Sequence, residues 1–368
     1  MAVPLLDISR QHNPLLPQLL AALDGVLRSG KFVVPSPEIE KLEQSLASIC
    51  ATQFGLAVSS GTDALLAALM AVKIGPGDEV ITTPFTFFAT AGSIARVGAK
   101  PVFVDINPVT FNIDPAAVEA AITPRTKAIM PVHLFGLMAD MNPLLALAKK
   151  HQLAIIEDAA QAIGSRYHHQ PAGSLGDIGC LSFYPTKNLA ALGDGGACVT
   201  RDPSLDRQLR AIRLHGQTGE YQHEIIGGNF RLDAMQAALL NVKISHLEHW
   251  SNARRDHAGH YNRLLAGLPV TLPHEPDGYF HVYNQYTIRV GQGRRDALRK
   301  HLVDHQIGNK VYYPLPLHLQ PCFSYLGYRP GQLPHAEQAA QEVLSLPMFP
   351  EMTLAEQEET TRALGNFF

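Results

Sequence analysis

Five short stretches of this chain carry side chains that can act together on one small charged, aromatic ligand. Lys187 lies in Ser182-Phe183-Tyr184-Pro185-Thr186-Lys187-Asn188, just ahead of the Gly-rich run Gly193-Asp194-Gly195-Gly196. A lysine in a cleft, partly desolvated and close to other positive groups, has a lowered pKa and presents a free primary amine. Asp158 follows the apolar run Leu153–Ile156. A carboxylate there can keep a ring nitrogen protonated by charge pairing. Gln161, three residues on, offers an amide to a phenolic oxygen. Ser59-Ser60-Gly61-Thr62-Asp63 combines hydroxyls, a residue without Cβ and an expected helix start, which suits a phosphate dianion. Ser182 adds a hydroxyl, and Phe87 offers a flat apolar face for which Phe88 competes.

Amine, carboxylate, amide, phosphate turn and aromatic face match the aldehyde, pyridine nitrogen, phenolic oxygen, phosphate and ring of pyridoxal 5′-phosphate. Taken singly, each has a plainer reading. Ser and Thr are ordinary helix caps, Asp often ends a strand, Phe is commonly core and Lys is commonly solvated. The combination, in this order, is what carries the reading.

Those residues need a scaffold that brings them to one edge. From about residue 55 to 200, short apolar runs alternate with helix-like stretches. Strands are expected at Gly55–Val58, Glu79–Thr82, Pro101–Asp105, Ala128–Val132, Leu153–Glu157, Cys180–Tyr184 and Gly196–Thr200. Helices are expected at Thr62–Val72, Thr86–Val97, Pro115–Ile122 and Met141–Lys150, then over 229–250 and Leu247–Arg263. Such alternation predicts an α/β fold, a mainly parallel sheet covered by helices. Ligands of open α/β sheets sit beyond the carboxyl ends of the strands, where Ser59–Thr62, Pro84–Phe87, His133–Gly136, Asp158, Gln161 and Ser182–Lys187 fall. After Pro269 the chain is richer in Pro and aromatic residues. The division expected is a large domain over 1–249 with the N-terminal segment, and a smaller α+β domain over 250–368.

Composition excludes other classes. Apolar residues make up 46% and charged residues 17% of the 368, as in a compact enzyme. A formal charge of −3 without a basic run disfavours nucleic-acid binding. No segment is apolar enough for a membrane span. The first ten residues carry Asp7 and lack a signal pattern, so a cytoplasmic location is expected. Cys50, Cys180, Cys198 and Cys322 form no CxxC pair and read as free thiols. The 17 histidines show no ligand spacing, so no metal site is expected. Ser59–Ala64 supplies no G-x-G-x-x-G, which disfavours a nicotinamide dehydrogenase.

The motifs together resemble the DegT-type sugar-nucleotide aminotransferases, within the fold type I (aspartate aminotransferase) superfamily. They are SGTDAL, PFTFFAT, PVHLFG, EDAAQA, SFYPTKN, GDGGA and GGNFRLDAMQAA, in that order, and the resemblance spans Leu6 to about Met352. It implies a Schiff-base role for Lys187, a pyridine partner in Asp158, a phenolic-oxygen contact in Gln161 and ring stacking by Phe87. It implies phosphate contacts from Gly61, Thr62 and Ser182. Asn229 matches an asparagine reaching the phosphate from the other subunit, which implies a homodimer with shared active sites. Substrate contacts are expected at Phe32, Tyr184, Arg231, Tyr312 and His318.

Many relatives have His where this chain has Tyr184. Those with Tyr, followed by GDGG, resemble enzymes acting on 3-keto sugars, and VYYPLPLHLQPCF points the same way, although Tyr312 stands where many of them have His. Val34-Pro35-Ser36-Pro37 lacks the Gly that relatives place before the Pro. The activity implied is transfer of an amino group, from glutamate, to a nucleotide-linked 3-keto hexose. The alternatives are a 4-keto substrate and a non-catalytic regulatory homologue that still binds pyridoxal phosphate. Dehydration at C3 would call for His in place of Lys187.

Overall fold

The computed structural model describes residues 1–368. Its centre is a seven-stranded sheet. The strands are β1 (Phe54–Val58), β2 (Glu79–Thr82), β3 (Lys100–Phe103), β4 (Thr126–Met130), β5 (Ala154–Asp158), β6 (Ile178–Ser182) and β7 (Gly196–Thr200). Their spatial order is β1-β7-β6-β5-β4-β2-β3. The pairs β2/β3, β2/β4, β4/β5 and β5/β6 are parallel, whereas β7 runs antiparallel to both β1 and β6. The sheet is therefore mainly parallel, as the alternation predicts.

Six of the seven strands, all but β3, feed two cores because successive side chains point to opposite faces. Ala57, Ile81, Ile129, Ile155, Leu181 and Val199 enter one cluster. Leu56, Val58, Val80, Ala128, Met130, Ile156, Cys180 and Cys198 enter the other. The second face is covered by the helix Gly61–Ala71, which buries Ala64 through Leu69 and Ala71. A helix apolar on all sides is buried on all sides, and because only Ser59 and Ser60 separate it from β1 its N-terminus lies at the carboxyl edge of the sheet.

A further core joins Val3, Ala258, Tyr261, Tyr286, Ile288, Leu298, Leu344 and Phe349 around the antiparallel pair Tyr286–Arg289 and Val343–Leu346. One helix, Leu247–Leu264, carries Leu247 in the sheet core and Ala258 and Tyr261 in this one.

Three strands lie one or two residues earlier than expected, at Lys100–Phe103, Thr126–Met130 and Ile178–Ser182, and two helices start well after their expected first residue. The helix expected from Thr86 begins at Ala89. Thr83 Oγ1 accepts from Phe85 N at 3.1 Å, and the Phe85 ring is fully buried, which holds Pro84–Phe87 as a turn. The helix expected over 229–250 begins only at Ala234 and ends at Lys243. Ahead of it Ser59 N donates to Phe230 O at 2.9 Å and Arg231 bridges to Val58, so this run is pinned to β1. Asp233 then caps the helix through Gln236 N at 2.8 Å.

Candidate active site

Asp158 closes β5 and is 5% exposed. Thr90, in the helix Ala89–Arg96, donates from Oγ1 to Asp158 Oδ2 at 2.7 Å, and Thr86 Oγ1 lies 3.0 Å from Thr90 Oγ1. Ala160 N donates to the other oxygen at 3.3 Å. Burial pushes the carboxyl above its ordinary pKa, against the opposing pull of Thr90, Ala160 and the charges of Lys187 and His133. A buried carboxylate in this state gains from a cation beside it, which a protonated ring nitrogen supplies.

Gln161, on the turn after β5, is also buried. Its Oε1 accepts from Phe135 N at 2.6 Å, and its Nε2 donates to the Tyr313 hydroxyl at 3.1 Å. The amide orientation follows: a carbonyl accepts and an NH₂ donates. The turn Leu134–Gly136 that presents Phe135 N is left-handed at Phe135 (φ 58°) and Gly136 (φ 97°).

At the phosphate-sized end, Ser60 caps the helix Gly61–Ala71, accepting from Asp63 N at 3.0 Å. The Ser59 and Ser60 hydroxyls both reach Asp63 Oδ2, at 2.6 and 3.0 Å. The first-turn N–H groups of Gly61 and Thr62 have no intrahelical partner and point an anion-binding edge outward. A Cβ on Gly61 would lie 2.7 Å from Ser182 Cβ, and one on Gly196 would lie 2.4 Å from Ser60 C. Glycine at both positions lets β6 and β7 approach the turn closely, which brings Ser182 beside it.

Lys187 sits on the turn after β6, where its N–H donates to Tyr184 O at 2.8 Å. Desolvation lowers its pKa to about 8, and the negative charge of Asp158 acts in the opposite direction. The expected help from positive neighbours is therefore replaced by burial alone. Phe87 is 58% exposed and lies 6.4 Å from the Tyr313 ring. Phe88 has one face stacked on Phe323 at 5.6 Å and is 47% exposed, so Phe87 is the more open of the two rings.

These residues converge on one edge of a fold with close known counterparts. The DegT/DnrJ/EryC1/StrS aminotransferase family profile matches residues 16–364. The chain belongs to that family. It is 53% identical, over 100% of this chain and 99% of the relative, to a protein of Geobacillus stearothermophilus named pleiotropic regulatory protein. It is 46% identical, over 95% and 94%, to the UDP-N-acetyl-3-dehydro-alpha-D-glucosamine 3-aminotransferase of Acidithiobacillus ferrooxidans. The crystal structure of DesV from S. venezuelae superposes with a TM-score of 0.96 at 42% identity, over 100% of this chain and 98% of that one. The aminotransferases of this family depend on pyridoxal phosphate. The donor set described above fits that group: an amine of lowered pKa, a buried carboxylate, an oriented amide and an open helix start.

Around this centre the aminotransferase presents further side chains. Tyr184 is 53% exposed, and its phenol lies close enough to Tyr312 to add to the burial that raises the Tyr312 pKa. Phe32 is exposed, with its carbonyl accepting from Ala234 N at 2.8 Å. Arg231 flanks Ser59 through its bridge to Val58 and forms no ion pair. Asn229 is exposed beside it, bridged to Leu214. His318 is different. It is 1% exposed, with Nε2 3.2 Å from Glu337 Oε1 and its ring against Tyr328. The structure thus holds His318 in the packing of the C-terminal part, where it offers no face to a substrate.

Sequence reasoning overlooked several supporting groups. Thr90 and Tyr313 lie inside quoted motifs, but nothing in their spacing said that they would touch Asp158 and Gln161. Glu157 is fully buried beside Asp158 and points to the opposite face. It accepts from Gly173 N, Leu175 N and Gly176 N at 2.9, 2.8 and 2.6 Å, and meets His133 Nε2 at 2.8 Å. His133 Nδ1 accepts from Ala139 N at 3.1 Å, so Nε2 carries the proton that Glu157 receives. Burial would raise the Glu157 carboxyl, but His133 and the backbone donors outweigh it and hold the pKa below the ordinary value.

Proposed function

We propose that this aminotransferase moves an amino group from glutamate to C3 of a nucleotide-linked 3-keto hexose, giving a 3-amino sugar nucleotide. The observation that carries the chemistry is the Lys187 amine, its pKa lowered to about 8 by burial even against the opposing charge of the buried Asp158. Support for the carbon comes from Tyr184 ahead of Gly193–Gly196, and from the Acidithiobacillus relative, named for a 3-dehydro sugar.

In this reading Lys187 holds the cofactor, Asp158 pairs with its ring nitrogen and Gln161 bonds its phenolic oxygen. Gly61, Thr62 and Ser182 bind its phosphate, and Phe87 covers its ring. Pyridoxal phosphate supplies the aldehyde that accepts the amino group and the ring that withdraws electrons from the adjacent carbon. Lys187 Nζ would move one proton in each half of the reaction, away from the amino donor's α-carbon in the first and onto the sugar carbon in the second. Asp158 keeps positive charge on the ring nitrogen, Gln161 fixes the ring's tilt, and Tyr184, Tyr312, Phe32 and Arg231 face the sugar nucleotide.

The reading includes a homodimer, with Asn229 completing the partner's phosphate site. Exposed Leu16, Leu20 and Leu27 on the helix Leu16–Ser29, and exposed Tyr221 and Ile226 before Asn229, give an apolar surface that supports it. It also includes the division into 1–249 and 250–368, although the helix Leu247–Leu264 spans the join and Val3 of the N-terminal segment packs in the C-terminal core. A cytoplasmic location is in keeping with four unbridged cysteines.

A second reading, a non-catalytic regulatory protein, is favoured by the name of the Geobacillus relative. A coupled assay with glutamate and a panel of 3-keto and 4-keto UDP- and dTDP-sugars separates the possibilities. Turnover of a 3-keto sugar is the expected result. Turnover of 4-keto sugars alone would move the reaction to C4, and a protein that binds the cofactor but turns over none of the panel would leave the regulatory reading.

A further inference from the structure

Asn188 makes a contact that none of the roles above uses. It is 2% exposed, and its Nδ2 donates to the Val282 carbonyl at 3.1 Å. Its Oδ1 is buried without a hydrogen-bond partner. Buried amides are normally bonded at both ends, so this single bond fixes where the side chain, and the turn behind it, can sit.

Val282 belongs to the segment His281–Gln285, which crosses from the C-terminal core to the sheet edge. The same segment grips the support of Gln161. Val282 N donates to Gly136 O at 3.1 Å and Gln285 N to Phe135 O at 3.4 Å. Phe135 N in turn holds Gln161 Oε1. The approach is close: a Cβ on Gly136 would lie 2.8 Å from Val282 Cγ2 and 3.0 Å from Asn284 N. On its other side the segment is anchored by Arg254, which donates to Tyr283 O at 3.3 Å, and by Glu275, which accepts from His281 N at 3.0 Å. One piece of chain therefore links the turn that bears Lys187 to the turn that orients Gln161.

We propose that Asn188 is a positioning residue, tying the Lys187 turn to residues 281–285 and so fixing how deeply the Lys187 amine sits relative to Gln161. The inference rests on the reading of Lys187 as the amine that holds the cofactor. The charged groups around that turn are Asp158 from β5 and Asp7, Arg254 and Glu351, which line a crevice with Pro185, Thr186 and Lys187. Released from the tether, the turn exposes its nitrogen to water, which favours the protonated form.

The test is the pH titration of the yellow chromophore of the holoenzyme. Asn188→Leu keeps the side-chain size and removes the donor, and Asn188→Ser is the milder variant should the first fail to fold. The titration midpoint is expected to rise by about one unit, a roughly tenfold change in the protonated-to-neutral ratio at fixed pH. Gly136→Ala, which presses on the same segment from the other side, is expected to move it as well. A merely structural Asn188 would lower the melting temperature and leave the midpoint in place, and that result in folded variants overturns the proposal. Borohydride trapping with peptide mapping keeps the two readings apart. Label found away from Lys187 defeats the assignment of the amine, whereas label on Lys187 with an unmoved midpoint defeats only the tether.

Discussion

Burial acts on Lys187 and Asp158 in the same sense, towards the uncharged form, while each stabilises the charge of the other. The consequence at Lys187 is a reactive amine near neutrality. With a pKa of about 8, its free-base fraction climbs tenfold per pH unit below that value and levels off above it. The rate at which cofactor-free enzyme takes up pyridoxal phosphate should follow that curve, and a rise continuing to pH 10 would show that burial does not tune the amine. Lys187→Ala should retain the cofactor and lose transamination altogether. For Asp158→Asn the loss is of charge at constant shape. Losing a preorganised charge beside the reacting group costs about 3 kcal/mol of transition-state stabilisation, so kcat/KM should fall roughly a hundredfold or beyond. Steady-state kinetics measure this, and a variant within a few-fold of the parent would remove Asp158 from its role.

At the scale of elements, the site is assembled from turns that leave one sheet edge, and two neighbouring acids on β5 divide the work. Asp158 faces Thr90 and the proposed cofactor side, while Glu157 locks the loops over 133–139 and 173–176 on the other face. Glu157→Gln should destabilise the fold by about 3 kcal/mol, since it loses a charge that three backbone N–H groups and His133 share. The pH dependence has a definite sign. A carboxyl held below its ordinary pKa stabilises the fold above the unfolded value, 4.5, and that contribution is lost as pH falls through the folded value. The melting-temperature gap between parent and Glu157→Gln should therefore be widest near neutrality and narrow below about pH 4.5. A gap independent of pH would mean that charge at Glu157 is not what holds these loops.

For the whole molecule, the proposed sharing of sites between two copies can be tested by mixing. Lys187→Ala and Asn229→Ala chains, each weak or inactive alone, form mixed dimers in which one of the two sites has both residues intact. Random reassociation should then restore about a quarter of parental activity. No recovery, with exchange of subunits demonstrated, would place Asn229 at the site of its own chain or at none.

The strands of the sheet and most of its helices were legible because buried strands and amphipathic helices write their period into the chain. Lys187, Asp158 and Gln161 were legible because each follows a strand at the edge where such sheets bind ligands. What the sequence could not determine was contact between segments far apart along it. Thr90 on Asp158, Tyr313 on Gln161 and Val282 on Asn188 are separated by 68, 152 and 94 residues. The Asn229–Asp233 run reads as helix by composition but is held extended by its pairing with β1. His318 has the composition of a ligand contact and is instead packed against Glu337. Side-chain type and local period belong to the sequence. Which side chain is buried, which is open and which charges face one another are decided only when the packed chain excludes water from some of them and not from others.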